Sequence, residues 1–367
     1  MKIAFISTRG IPNNYGGFEE FAEKLGVRLA ERGHDVIVYN PSFHPYKEGE
    51  FNDVRIKPKF SPESSIGTAA NFIYDYLSLR DAIHIEACDA ALVCGYTTSA
   101  IAFPIVSFGR TKILTNMDGL EWKRSKWTPR VQRLAKRFEA MAVERSTALI
   151  ADNQGIADYL ISEYGKESYT IPYGAEKFED PDASVITELD VEPFRYLLLV
   201  GRMEPENNFE TILDGIRNSD IDTPTLVVSS TDTAYGKELV ARFADVPSIR
   251  FVGWVGDRKL LSNLRRFAAV HFHGHSVGGT NPSLLEAMAS NAFIAAHDNE
   301  FNKAVLGDDA IYFSGPADVT SMLNDLAATK EARGKFSANN IEKIDALYNW
   351  DNIADMYEKM LSEVIAK

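Results

Sequence analysis

The stretch His271-Phe-His-Gly-His-Ser-Val-Gly-Gly-Thr-Asn-Pro-Ser-Leu-Leu-Glu-Ala-Met288 decides how the rest of the chain is read. It opens inside a short apolar run, Ala269–His273, that has the length and composition of a buried strand. Proline is tolerated in the first turn of a helix, so a helix is expected to start near Pro282. Between the two lies a glycine loop. Gly278, Gly279 and Thr280, with Asn281 beside them, then set backbone N–H groups over the positive end of that helix, which suits the phosphates of a nucleotide. Glu286, about one turn into the helix, is placed to accept hydrogen bonds from ribose hydroxyls. His271, His273 and His275 alternate as metal ligands on one strand face would. No fourth ligand accompanies them, and a histidine beside a diphosphate accounts for the pattern, so no metal is expected.

The same strand–loop–helix alternation extends in both directions. Strands are expected at Tyr196–Val200, Thr225–Ser229, Ile249–Val252, Ala292–Ala296 and Ile311–Phe313, with helices near 207–217, 235–243, 258–266, 283–289 and 317–327. Gly201-Arg202 follows the first of these strands directly, and a guanidinium there can grip a diphosphate through two hydrogen bonds. Upstream, Ile3–Ser7, a helical stretch Phe18–Arg32 and Val36–Tyr39 form a βαβ unit. Ala90–Cys94, Lys112–Asn116 and Ala148–Ala151 continue it, with a long helix over Pro129–Ser146. A chain of 367 residues is too long for one ordinary core. The expected class is α/β, with two doubly wound Rossmann-like domains over 1–175 and 194–345. A polar linker joins them at 176–193, and a final helical segment covers 346–367. Ligands would bind at the carboxyl ends of the strands, in a cleft between the domains.

Two loops of the first domain share that position. Its first strand runs through Ser7-Thr8-Arg9-Gly10 and Asn13-Asn14-Tyr15-Gly16-Gly17 into the helix near Phe18. A tight turn explains one glycine; the pair suggests close backbone approach to a ligand. The loop is not Gly-x-Gly-x-x-Gly, which counts against a nicotinamide dinucleotide. After Lys112–Asn116 come Asp118 and Glu121, two carboxylates, and Trp122 and Trp127, which either stack on a sugar or pack in the core. Lys123, Arg124, Lys126, Arg130, Arg133, Lys136 and Arg137 then form a basic segment in a chain whose net charge is -13. That contrast suggests docking to an anionic acceptor or membrane surface.

The overall acidity excludes nucleic acid as the expected partner. Cys88 and Cys94 suit reduced core thiols, hence a cytoplasmic protein. The longest apolar stretch, Ala90–Phe108, is interrupted by Gly95, Thr97, Thr98, Ser99 and Pro104, so any membrane contact would be peripheral, at the inner face.

Taken in order, these motifs resemble the retaining glycosyltransferases of the GT-B fold, family 4. The resemblance rests on the Gly16-Gly17 loop, Ile171-Pro-Tyr-Gly-Ala175, Gly201-Arg-Met-Glu-Pro-Glu-Asn-Asn208, Phe251-Val-Gly-Trp-Val255 and the Gly279–Met288 stretch. Asp118-Gly-Leu-Glu-Trp-Lys-Arg124 and His275–Ser283 resemble the bacterial subgroup containing rhamnosyltransferases of cell-surface polysaccharide assembly. The resemblance implies a metal-independent enzyme without a cofactor. Its donor would be a nucleotide-diphosphate sugar: dTDP-rhamnose, or a UDP or GDP sugar. Its acceptor would be a glycan or a lipid-linked saccharide.

Carried onto this sequence, the resemblance places Arg202, His275, Gly278, Gly279, Thr280 and Asn281 at the diphosphate and Glu286 at the ribose. Trp254 and Val255 would lie near the base, and Gly17 also at the donor. The acceptor would meet Gly16, Phe18, Glu19, Glu121, Trp122, Lys123 and Arg124. Asp118 stands where the family has a histidine near the reacting sugar. With retention on the front face, the leaving phosphate accepts the acceptor hydroxyl's proton. The last helix, from about Trp350, would cross back onto the first domain, and the lobes would close over the donor. Two departures stand out: Gly278 where the family has a glutamate, and Asn207 where it has a lysine, for which Lys237 or the histidines would have to substitute. A nucleotide-sugar 2-epimerase and a non-catalytic nucleotide-sugar-binding protein are the rival readings.

Overall fold

The computed structural model describes residues 1–124 and 127–367, apart from the side chains of 326–332. The chain forms two compact units. Unit 1 holds Met1–Lys123, Trp127–Tyr173 and Trp350–Lys367; unit 2 holds Gly174–Asn349, together with Arg124.

Unit 1 contains β1 (Lys2–Ile6), α1 (Gly17–Glu31), β2 (Asp35–Pro41), β3 (Glu50–Phe51), β4 (Val54–Lys59), α2 (Glu63–Ile66), α3 (Ala70–His84), β5 (Ala90–Cys94), β6 (Lys112–Asn116), α4 (Pro129–Arg145), β7 (Ala148–Ala151), α5 (Gln154–Tyr164) and β8 (Tyr169–Thr170). Its sheet runs β3-β4-β2-β1-β5-β6-β7-β8, parallel except for the β3–β4 hairpin. Strands buried on both faces read as continuous apolar runs, which is why β1 and β5 were legible. The hairpin was not foreseen. Its turn, Asn52-Asp53, has φ of 46° and 62°, the left-handed pair that matches the strand twist in a two-residue loop.

Unit 2 contains β9 (Leu197–Val200), α6 (Phe209–Arg217), β10 (Thr225–Val228), α7 (Ala234–Arg242), β11 (Ile249–Gly253), α8 (Arg258–Phe267), β12 (Val270–His273), α9 (Pro282–Ala289), β13 (Ile294–His297), α10 (Glu300–Leu306), β14 (Ile311–Phe313), α11 (Pro316–Asn324) and α12 (Leu326–Lys343). Its sheet is wholly parallel, in the order β11-β10-β9-β12-β13-β14. The segment 176–193, expected as a linker, belongs to this unit. It carries a 3-10 helix over Ala183–Leu189, and its Ile186 and Val191 are buried with Leu198, Leu226 and Leu264. Val185 and Leu189 pack against the same core, but four apolar positions within seven residues are too short a run to show a period in sequence.

The last helix, α13 (Trp350–Ala366), packs within unit 1 against α1. Trp350, Ile353, Tyr357, Met360, Leu361 and Val364 form its buried stripe, and Tyr357 and Trp350 meet Phe21 at ring-centroid distances of 5.3 and 6.5 Å. Arg28–Asp351 and Arg32–Glu358 pair at 3.0 and 3.1 Å along its edge. Exposed pairs contribute at most about 1 kcal/mol each, whereas each large apolar side chain buried contributes about 1.5–3 kcal/mol, so the stripe holds the helix. Among the described residues no helix is long and apolar enough to cross a membrane. Cys88 and Cys94 are both buried free thiols.

Candidate functional site

In each sheet the strand order reverses at one place: between β1 and β5 in unit 1, and between β9 and β12 in unit 2. At such a switch point the loops leaving neighbouring strands diverge and open a crevice for ligands.

In unit 2 the loops that leave β9 and β12 are tied together. Asn208 donates from Nδ2 to the Gly274 carbonyl at 2.8 Å, and Ser276 donates from both its backbone N–H and its hydroxyl to the Glu206 carbonyl, at 3.0 and 2.8 Å. A Cβ on Gly274 would fall 2.1 Å from the Asn207 carbonyl oxygen, so only glycine lets these backbones approach. Asn299 and Asn302 each donate at 3.0 Å to the His275 carbonyl. The loop leading to α9 is therefore fixed from two sides before any ligand arrives.

The expected donor residues sit on that frame. Arg202 is exposed, and among the described residues its guanidinium has no carboxylate partner. Asn281 caps α9, its side chain accepting the Ser283 N–H at 2.9 Å, and Thr280 is buried beside it. Among the described residues the N–H groups of Gly278 and Gly279 are uncommitted. These donors and the Arg202 charge make the corner attractive to an anion. Gly278 has φ of 128°, which an L side chain rarely adopts. A glutamate there would strain the loop, which accounts for the first departure from the family pattern. Asn207 explains the second: it is buried, and its Nδ2 donates to the Arg202 carbonyl at 2.8 Å, holding the loop. Lys237 is exposed on the first turn of α7.

Glu286 points from α9 to Arg265 on α8, which forms an ion pair with its Oε2. Arg265 is 3% exposed. The pair fixes one carboxylate oxygen and leaves the side chain partly open. Arg265 was missed in the sequence, because its role depends on two helices meeting. Trp254 is exposed after β11, with its indole over Gly256, and Val255 packs against the core of the unit. Arg124 lies with its guanidinium 3.5 Å from Glu204.

His271 and His273 are fully buried, and His273 stacks on His275 with ring centroids 4.5 Å apart. Among the described residues neither ring nitrogen of His271 or His273 has a hydrogen-bond partner. Burial, reinforced by the Arg265 charge, pushes His271 down to about 3. Burial and the nearby Arg202 hold His275 below the usual range as well. All three rings are neutral near pH 7. Among the described residues no group of three or more His, Cys, Asp or Glu side chains is placed to hold a metal ion.

In unit 1, Gly16 caps α1 with extended backbone, Gly17 is its first residue, and the Phe18 ring covers Gly95. Glu19, expected at an acceptor, is instead 4% exposed, and its Oε1 accepts the Arg9 N–H at 2.6 Å. It supports the glycine loop from beneath. Asp118 follows β6 in a left-handed conformation, φ 50°, held by its own N–H donating to Asn116 Oδ1 at 3.0 Å. Aspartate is among the few non-glycine residues that adopt this region as single residues, so it suits the turn that leaves β6. Glu121, Trp122 and Lys123 form a 3-10 turn just beyond it. The Trp122 ring lies beneath the ammonium groups of Lys136 and Lys123, at 4.7 and 5.5 Å. The predicted basic residue Lys126 falls outside the described residues.

Residues 1–176 match a family described as a domain of unknown function (DUF1972). No curated protein matches by sequence. Among solved structures, a sucrose-phosphate synthase from Thermosynechococcus elongatus is similar at a TM-score of 0.82 with 17% identity, over 100% of this chain and 99% of that one. HepE of Anabaena, in complex with UDP, is similar at 0.72 with 15% identity, over 99% and 100%. WaaG, a glycosyltransferase involved in lipopolysaccharide biosynthesis, is similar at 0.72 with 16% identity, over 96% and 99%. The fold is that of the GT-B glycosyltransferases, with two parallel-sheet Rossmann-like domains.

Proposed function

We propose that the chain is a retaining glycosyltransferase of family 4 that moves a hexosyl group from a nucleotide-diphosphate sugar to a glycan or lipid-linked acceptor in bacterial surface polysaccharide synthesis. The observation that carries this reading is the corner at β9 and β12. There, among the described residues, the Arg202 guanidinium without a carboxylate partner, the uncommitted N–H groups of Gly278 and Gly279 and the N-terminus of α9 combine, with Glu286 one turn further on. The solved complexes of HepE with UDP and with UDP-glucose support a nucleotide sugar as the ligand class. The motifs around Asp118 and His275 favour a rhamnosyl donor, dTDP-rhamnose.

In this mechanism Arg202, the loop N–H groups and His275 hold the diphosphate, and Glu286 orients the ribose. Trp254 and Val255 border the base. As the glycosidic C–O bond breaks, its electrons pass to the leaving β-phosphate oxygen. These donors stabilise the charge that develops there. The same phosphate takes the proton of the acceptor hydroxyl as the new C–O bond forms on the same face, so no enzymic nucleophile is needed. Asp118 stabilises positive charge at the anomeric carbon. No metal ion or cofactor takes part.

A thermal-shift panel of nucleotide diphosphates and their sugars tests the reading. A ligand at about a hundred times its Kd stabilises by about 2.7 kcal/mol, a rise of about 5–10 °C for units of this size. The expected result is a larger rise with dTDP and dTDP-rhamnose than with the UDP and GDP series. Preference for UDP or GDP sugars overturns the rhamnosyl assignment, and no rise with any nucleotide overturns the whole reading.

A further inference from the structure

The basic segment after Asp118 continues into α4, whose two faces are used differently. The inner face buries Ala135, Phe138, Glu139, Ala142 and Val143. Glu139 is 1% exposed and accepts hydroxyl hydrogen bonds from Tyr159 (2.5 Å), Tyr164 (2.6 Å) and Tyr96 (3.0 Å), while Lys136 reaches it at 3.0 Å. This network clamps the helix to the unit and uses up Lys136.

The outer face carries Arg130, Arg133 and Arg137, all exposed, and among the described residues no carboxylate pairs with any of them. Val131 and Leu134 are 39% and 44% exposed between these arginines, and Trp127 is 38% exposed just before the helix. The 3-10 turn Ala100–Ala102 packs against α4, and Ile101 within it and Ile105 just after it are also exposed. The first turn of α4 has no acidic residue and one arginine, so cationic charge sits at the end of the helix where it is unfavourable. In a chain of net charge -13, an unpaired cationic face with aliphatic and indole side chains standing out of it is complementary to an anionic, partly apolar surface.

We propose that this face of α4 docks the protein on an anionic lipid bilayer, with the arginines at the headgroups and Val131, Leu134 and Trp127 entering the interface. The inference does not depend on the nucleotide-sugar reading, and its test uses no donor.

The purified full chain is sedimented with vesicles of phosphatidylcholine alone, and of phosphatidylcholine with phosphatidylglycerol. Binding is expected only to the second kind, and is expected to weaken as salt is added. Each basic residue near an anionic bilayer contributes about a fivefold factor, so Arg130→Gln/Arg133→Gln/Arg137→Gln lowers partitioning by about a hundredfold. Val131→Ser/Leu134→Ser lowers it by about tenfold while the salt dependence persists. Both variants alter only exposed side chains and are expected to keep the parent melting temperature. If the triple variant fails to fold, the salt dependence of the parent chain and the Val131/Leu134 variant decide. Equal binding to both vesicle types, no binding to either, or unchanged binding by the triple variant overturns the proposal. So does self-association of the parent chain that the triple variant abolishes, which would assign the face to a second copy.

Discussion

Glu286 and Arg265 share one ion pair but not one environment, and the asymmetry makes a test. The Arg265 side chain is 4% exposed and that of Glu286 37%. Among the described residues the Arg265 Nε has no hydrogen-bond partner, so Glu286 provides most of its compensation. Glu286→Ala leaves a buried guanidinium without a counter-charge, which costs about 3 kcal/mol, the bottom of the range for a broken buried pair because one side is open to water. For a unit of this size that lowers Tm by about 6–12 °C. Arg265→Met leaves a carboxylate that water can reach, at a cost of about 1 kcal/mol. The double variant Glu286→Ala/Arg265→Met removes the stranded charge and is expected to melt within about 4 °C of the parent. Nucleotide affinity behaves differently. It falls about 10- to 100-fold in both variants that lack Glu286, since a hydrogen bond to a charged group contributes about 1.5–3 kcal/mol. Differential scanning fluorimetry with and without nucleotide diphosphate reads both quantities. The reasoning fails if Arg265→Met destabilises more than Glu286→Ala, or if the double variant recovers nucleotide affinity along with stability.

Three further predictions concern the same units. Arg202→Gln, at an exposed side chain with no carboxylate partner among the described residues, is expected to weaken nucleotide-diphosphate binding by about 10- to 100-fold without lowering Tm, checked by titration calorimetry beside a melting curve. Asp118→Asn is expected to reduce turnover by about a hundredfold or more while donor affinity stays unchanged; near-normal turnover would remove Asp118 from the chemistry. Stability of unit 2 is expected to fall with acidification. His271 titrates near 3 when folded and near 6.5 when unfolded, so between those values the unfolded chain binds the extra proton, and each such histidine lowers stability by about 1.4 kcal/mol per pH unit as pH drops. Asp75 in unit 1, raised by burial to about 7, acts in the opposite sense between 7 and 3.8. His271→Leu should therefore flatten the acid slope of the unit 2 transition in urea melts taken from pH 7 to pH 4.5.

The strand–loop–helix around Gly278 was legible because three independent signals fall within eighteen residues: a buried run, paired glycines, and a proline at the first turn. Arg202 was legible for a similar reason, as the residue just past a strand end. What the sequence hid is long-range or buried polar structure. The helix α3 escaped detection because Asp75 and Ser78 occupy its buried face, breaking the apolar spacing by which a helix is recognised. Asp75 is tolerated there because Thr98 donates to it at 2.5 Å, a contact 23 residues away that no local pattern reports. The Asn208–Gly274 and Asn299–His275 bonds, which fix the candidate site, join residues 66 and 24 apart. Sequence patterns place the ends of strands well; they do not show which side chains brace the loops that leave them.

That bracing changes the meaning of the two departures from the family pattern. Read as losses, a missing lysine at Asn207 and a missing glutamate at Gly278 argue for a weakened or inactive site. In the structure, Asn207 holds the carbonyl of Arg202, and Gly278 adopts a backbone angle that would strain a glutamate. Both residues are therefore committed to shaping loops whose other members are held by Asn208, Ser276, Asn299 and Asn302. Under the proposed function, a site organised in this way would rely on fixed backbone N–H groups and one exposed guanidinium, where the family pattern would supply an additional side-chain cation. Backbone donors cost no side-chain ordering when a ligand binds, since their geometry is already set. On the proposed reading the braced loops would offset the two departures, and the charge that binding a diphosphate requires would fall on Arg202.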